Sequence, residues 1–356
     1  MPSSSAIWAS DPPAGHTGRP AVSEGALWLR FVNRFDIDAV GLTRREIFDA
    51  VEAAVRDHGD GQVVLEPRTH LVPDNGGAGH YNILRGHLSR SRVSGVKVVG
   101  DFVDNYKVGL PSELALVTLY EPDTGAPRAV IDATMITEAR TGAMTAVGAR
   151  HLARPASRVL GHVGARGTAW WNVTMLDDLF GFEEIRVTSR RSESRDGFAA
   201  RLSEQLGKPV RSVASWQECL EGADILVEAS RLAAPEPLLR TGWIAPGAFV
   251  VPYGTMSALE LDVLDVMDKV VVDDWREAQS GPFGALRSHV DSGRLSSQTC
   301  YGELGQIVNG SLPGRTADAE RILLWHRGLA ILDVAVAQLI LQRCEQAGLG
   351  TMLRYR

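Results

Sequence analysis

Five short apolar runs, at 159–163, 185–187, 225–228, 249–252 and 270–272, alternate with stretches of helical periodicity, and this alternation constrains the fold most. A strand that is apolar on both faces has to be covered on both, and strand–helix alternation achieves this by feeding a buried parallel sheet. The expected class is therefore α/β, with a Rossmann-type doubly wound parallel sheet domain over 146–321. The residues before it read differently. A helical segment at 44–57, with Thr43 as its N-cap, is followed by β-like runs at 62–65, 93–99, 114–120 and 129–131. These are expected to form an α+β substrate-binding and dimerisation domain over 21–145, completed by 322–356. The apolar stretch 322–341, interrupted by His326, Arg327 and Asp333, reads as a core helix rather than a membrane span. Residues 1–20, rich in Ser, Pro and Gly, read as a flexible leader.

Charge and cysteine usage exclude several function classes. With 37 Lys and Arg against 43 Asp and Glu, the net charge is −6, so no global basic field draws the chain to nucleic acid or anionic lipid. Neither nucleic acid nor membrane is expected as a partner. Cys219, Cys300 and Cys344 lie far apart and not in CxxC spacing, which argues for a reducing, cytoplasmic compartment and against a zinc site. Asp273 and Asp274 end a strand with no third ligand in view, so no metal is expected.

The segment around Gly164, Ala165, Arg166, Gly167 and Thr168 runs strand, turn, helix. The two glycines let the chain turn sharply and bring its amides to a pyrophosphate at a helix N-terminus. The common GxGxxG spacing would place a glycine at 166, where this chain has Arg166; its side chain either crowds a phosphate or grips it. About 25 residues on, the next strand ends in Ser189, Arg190 and Arg191. An NAD enzyme places a carboxylate at that point for the ribose 2′-OH, whereas hydroxyl and guanidinium donors suit a 2′-phosphate. NADP(H) is therefore the expected cofactor, with NAD(H) as the alternative.

From about Phe31 to Ala347 the chain resembles the ornithine cyclodeaminase and mu-crystallin family. The blocks EPRTHL (66–71), VKVVGDFVDNYKVGLPS (96–112), TEARTGAMTAVGARHLA (137–153), VVVDDW (270–275), YGELGQIVNGSLPGR (301–315) and RGLAILDVA (327–335) carry the resemblance. It implies a bipartite subunit that dimerises through the sheet of its substrate domain, giving a homodimer. It also implies that Arg68, Lys97 and Arg140 contact a substrate carboxylate. Thr141 would lie near the cofactor, and Gly328 and Leu329 would pack beside the nicotinamide. Arginine forks bind a carboxylate bidentately, which makes the trio chemically sensible. Ornithine cyclodeaminases carry a catalytic aspartate in a loop where this chain has Met256, and methionine cannot shuttle a proton.

The implied function is an NAD(P)H-dependent oxidoreductase acting on the C=N or CH–NH group of a small amino-acid-type substrate, a ketimine or cyclic imine. Lys97 and Arg140 are the expected catalytic residues. Two alternatives stay open: an ornithine cyclodeaminase-like lyase that recycles bound NAD, and a non-catalytic NADPH-binding protein.

Overall fold

The computed structural model describes residues 26–74, 76 and 79–356, so the expected leader at 1–20 lies outside the described residues. The first half of the chain builds a seven-stranded sheet. Its strands are β1 (Trp28–Val32), β2 (Val63–Leu71), β3 (His80–Leu88), β4 (Val93–Asp101), β5 (Glu113–Tyr120), β6 (Pro127–Asp132) and, from the far C-terminus, a strand at Thr351–Arg354. From β2 to β6 each strand pairs antiparallel with the next; β1 joins β6 in parallel, and Thr351–Arg354 closes the edge beside β1. Burial alternates along β4 and β5: Lys97, Val99, Ala115 and Val117 face the core, while Val98, Leu114 and Leu116 are exposed. Such alternation is what an antiparallel sheet covered on one face requires.

The second sheet has eight strands, all parallel: β7 (Val159–Val163), β8 (Glu184–Thr188), β9 (Arg211–Ser212), β10 (Ile225–Glu228), β11 (Phe249–Pro252), β12 (Lys269–Val272), β13 (Gly302–Glu303) and β14 (Ile322–Trp325). Its spatial order is β13-β12-β14-β11-β10-β7-β8-β9, with the topological switch between β7 and β10. Strands β10, β11, β12 and β14 are buried at every residue, as a sheet covered on both faces demands.

One reading changes. The stretch 322–341 is not one helix: Ile322–Trp325 is a strand between β11 and β12, and the helix starts only at Ala330 and runs to Ala347. The chain therefore leaves the parallel sheet after residue 325 rather than at 321. Gly328, at φ +87°, makes the break, in a backbone region that favours glycine. The helix Thr134–Leu152 turns its small residues to the inside of the molecule. A Cβ on Gly142 would stand 2.6 Å from the Trp171 backbone, and one on Gly148 would stand 2.2 Å from the Leu324 side chain. Ala143, Ala146 and Ala149 are fully buried. The small residues let this helix wedge between the helix Ala169–Phe180 and the parallel sheet. Thr43 does cap the helix Arg44–Gly59, accepting from the Glu46 amide in a reciprocal capping box.

Candidate active site

The wedge helix carries Arg140, and strand β4 carries Lys97 on its inner face. Both reach one carboxylate, that of Asp333 in the first turn of Ala330–Ala347. Lys97 Nζ donates to Asp333 Oδ1 at 2.7 Å, and Arg140 Nε donates to the same oxygen at 3.0 Å. Lys97 Nζ also lies 3.3 Å from Thr137 Oγ1. All three ionic groups are buried. Burial favours the neutral form of Asp333, but Arg140 and Lys97 outweigh it and hold the carboxyl below its usual range. Burial pulls the Lys97 ammonium down to about 8, against the attraction of Asp333. Two cations share one carboxylate, so the group carries one uncompensated positive charge. Beyond Asp333, the Arg140 guanidinium has no hydrogen-bond partner among the described residues.

Gly328 completes this corner. A Cβ there would stand 1.8 Å from Arg140 Nη1, so the backbone lies directly on the guanidinium. Asp273, at the end of β12, holds the turn in place: its Oδ2 accepts from the Arg327 amide at 2.7 Å and the Gly328 amide at 2.8 Å. Asp274 caps the short helix Trp275–Ala278 by accepting from the Glu277 amide at 2.8 Å. Glu277 in turn accepts from the Arg68 amide at 2.9 Å and forms a tight ion pair with the Arg68 guanidinium. Arg68 Nη2 donates to the Gly328 carbonyl at 2.8 Å and to the Arg327 carbonyl. The DDWREA segment is thus a brace: it fixes Gly328 with one acidic residue and Arg68 with another. Asp274 also meets His58 Nε2 at 3.2 Å, and with Glu303 these place three ligand-type atoms within 4.8 Å of one another.

A neutral polar network lies beside the cluster. His326 Nε2 and Thr145 Oγ1 are 2.9 Å apart, and Asn172 Nδ2 donates to Thr145 Oγ1 at 2.9 Å. The Tyr253 ring stacks on His326 with centroids 5.1 Å apart, and its hydroxyl lies 2.9 Å from Thr168 Oγ1. Burial drives His326 down to about 3, so it is an uncharged hydrogen-bonding group at neutral pH.

The glycine turn sits at the C-terminal end of β7, with Gly164 at φ +116° and Gly167 at φ +54°. A Cβ on Gly164 would meet the Ala229 carbonyl at 2.9 Å. His162 anchors the turn, its Nδ1 3.0 Å from the Gly164 carbonyl. The amides of Ala165, Arg166, Gly167 and Thr168 donate to no protein acceptor among the described residues, and Thr168 makes no side-chain cap on the helix that follows. Arg166 turns outward, its Nη2 3.2 Å from Ser194 Oγ and its guanidinium over the Tyr106 ring. Next to it, Ser189 Oγ donates to the Arg191 carbonyl at 3.1 Å, while Arg190 and Arg191 are exposed. Thr141 and Leu329 are buried, on the wedge helix and at the start of the C-terminal helix.

The profile of the ornithine cyclodeaminase/mu-crystallin family matches residues 32–348. The chain belongs to that family. Several proteins are similar over most of their length. The N-((2S)-2-amino-2-carboxyethyl)-L-glutamate dehydrogenase of Staphylococcus aureus is 29% identical over 91% of this chain and 98% of its own. Ketimine reductase mu-crystallin of Mus musculus is 29% identical over 78% of this chain and 84% of its own. The Delta(1)-pyrroline-2-carboxylate reductase of Thermococcus litoralis, solved with NADH and L-proline, superposes with a TM-score of 0.85, at 28% identity, over 91% of this chain and 99% of that one.

Within this family member, Arg140, Lys97, Arg68 and Gly328 converge on one corner, and the glycine turn and residues 189–191 form another along the strand ends. Sequence reasoning missed Asp333, Glu277 and Asp273. The signal for Asp333 was present: it is the one carboxylate within the otherwise apolar run 330–337. Glu277 gave none, because its partner Arg68 lies 209 residues away.

Proposed function

We propose that this protein is an NAD(P)H-dependent reductase of a small carboxylated imine, working equally as the reverse amine dehydrogenase. The observation that carries this reading is the buried Lys97–Asp333–Arg140 cluster, with its one surplus positive charge, beside the C-terminal ends of the parallel strands. A substrate carboxylate supplies the missing negative charge, and the unoccupied edge of Arg140 offers it a fork of donors. Bound at the strand ends, the nicotinamide supplies or accepts the hydride. The free amides at 165–168 match a pyrophosphate's acceptors. Lys97 Nζ holds the proton that goes to the imine nitrogen, and Asp333 keeps Lys97 Nζ in position.

The sign of the pH dependence follows from the ammonium. Lys97 carries its proton below about 8 and loses it above. Imine reduction at low substrate is therefore expected to fall as the pH rises through that value, while amine oxidation, which needs a proton acceptor, should rise. Steady-state profiles in both directions test this, with Lys97→Arg as the comparison that keeps the charge but should erase the inflection. Profiles that run the same way in both directions, or an inflection that survives in Lys97→Arg, would remove Lys97 from the chemistry.

Ser189, Arg190 and Arg191 favour NADPH. The exposed guanidinium groups of Arg190 and Arg191 stand beside the half-buried Ser189 at the end of β8, where an NAD enzyme carries a carboxylate, so a 2′-phosphate would gain charge-assisted hydrogen bonds. NADPH should bind about tenfold or more tightly than NADH, since one such contact contributes about 1.5–3 kcal/mol. Fluorescence titration of both cofactors decides it; equal affinity would refute the assignment. The exposed Val64, Val98, Leu114 and Leu116, all on the outer face of the seven-stranded sheet, support a two-fold dimer formed through that face.

A further inference from the structure

The sheet order determines where the two halves of a dinucleotide lie. Strand β7 ends in the glycine turn, and β8, its neighbour on one side, ends in the turn at 189–191. On the other side stand β10 and then β11. A dinucleotide with its pyrophosphate on the glycine turn and its adenosine over β8 therefore extends its nicotinamide half across the ends of β10 and β11.

Glu228 is the last residue of β10 and is fully buried. Its Oε1 accepts from the Ser230 amide at 2.7 Å. Among the described residues its Oε2 has no hydrogen-bond partner, and neither has the Ser230 hydroxyl. The end of β11 makes room for this carboxyl: a Cβ on Gly254 would stand 2.5 Å from Oε2. Buried polar atoms are nearly always hydrogen-bonded, and leaving one unmet is costly. Here two unmet atoms stand together at a strand end, one a carboxyl oxygen and the other a hydroxyl.

We infer that Glu228 and Ser230 form a binding site for the ribose on the nicotinamide side of the cofactor, the carboxyl oxygen accepting from the sugar hydroxyls. A ribose cis-diol offers two O–H donors to the carboxyl, and its oxygens accept from the Ser230 hydroxyl. The same chemistry underlies the carboxylate that takes the adenosine ribose in NAD enzymes; here it serves the opposite half. Arg231, the next residue along, reaches across to Asp101 on β4 at 2.8 Å, so this turn also touches the seven-stranded sheet. The inference rests on the reading that the chain binds NAD(P)H along these strand ends.

The test is direct binding, by calorimetry on the full-length protein, of three ligands. NADPH carries the nicotinamide ribose, 2′,5′-ADP lacks it, and the reduced 3-acetylpyridine analogue keeps the ribose but replaces the carboxamide. Wild type is compared with Glu228→Gln, which preserves shape, and Glu228→Ala. Both variants should weaken NADPH and the acetylpyridine analogue by roughly tenfold or more while holding 2′,5′-ADP within about twofold. Equal losses on NADPH and 2′,5′-ADP, or no loss on either, would overturn the site. A loss that vanishes with the acetylpyridine analogue would move the contact to the carboxamide and overturn the ribose assignment. Wild type that binds 2′,5′-ADP and NADPH equally tightly would overturn it as well. Failure of wild type to bind any of the three instead sinks the cofactor reading, and this site with it.

Discussion

Arg140→Ala should lower kcat/KM for a carboxylated cyclic imine by a factor of roughly 30 to 1000, equal to about 2–4 kcal/mol of transition-state stabilisation. The guanidinium is buried, is held at one edge by Asp333 and has no other partner among the described residues. Its remaining donors are the ones a substrate carboxylate would meet. NADPH affinity should hardly change, because the free amides at 165–168 and the residues at 189–191 lie on other elements. The measurement is steady-state reduction of a carboxylated imine beside its carboxylate-free analogue, for wild type and variant, with NADPH titrated separately. A wild type that reduces both substrates equally well has no carboxylate clamp. A variant that loses NADPH binding as much as turnover would mean that Arg140 serves the cofactor instead. Arg140→Lys separates charge from geometry: a point charge restores only part of what a fork supplies.

How far the site could be read in advance depended on the range of the interaction. Five of the eight parallel strands were legible because they are short, mostly apolar and separated by helical periods, and each of those signals is local. The glycine turn was legible for the same reason, since positive φ at Gly164 and Gly167 needs residues without a Cβ. Strand β3 escaped notice because HYNILRGHL has no clean alternation: most of its residues are half-buried between two other strands, so polar and apolar groups mix. Strand β14 was merged with the helix after it because both are apolar. Only Gly328, whose backbone lies against Arg140, separates them. The ion pairs of Arg68, Lys97 and Arg140 could not be read at all, because each joins elements about 190 residues or more apart in sequence.

Asp333 therefore matters more than its single carboxylate suggests, and its removal is the sharper test of the cluster. Asp333→Ala would leave Lys97 and Arg140 as like charges in a buried site. Breaking a buried ion pair by deleting one partner costs about 3–5 kcal/mol. The apo variant should unfold at a distinctly lower temperature than wild type. Lys97 has an escape that Arg140 lacks: its pKa, already pulled to about 8 by burial, falls further once the carboxylate is gone. The inflection in the reduction profile should move from about 8 to more acidic pH in Asp333→Asn, which keeps the shape and removes the charge. A bound carboxylate should also become more stabilising, since it supplies the anion the variant lacks. Thermal unfolding with and without a saturating carboxylate ligand reads this directly. The ligand-induced rise in melting temperature should be larger in Asp333→Asn than in wild type. A smaller rise, or an inflection that stays at its wild-type pH, would show that Asp333 holds the fold at this corner without tuning the charge that receives the substrate.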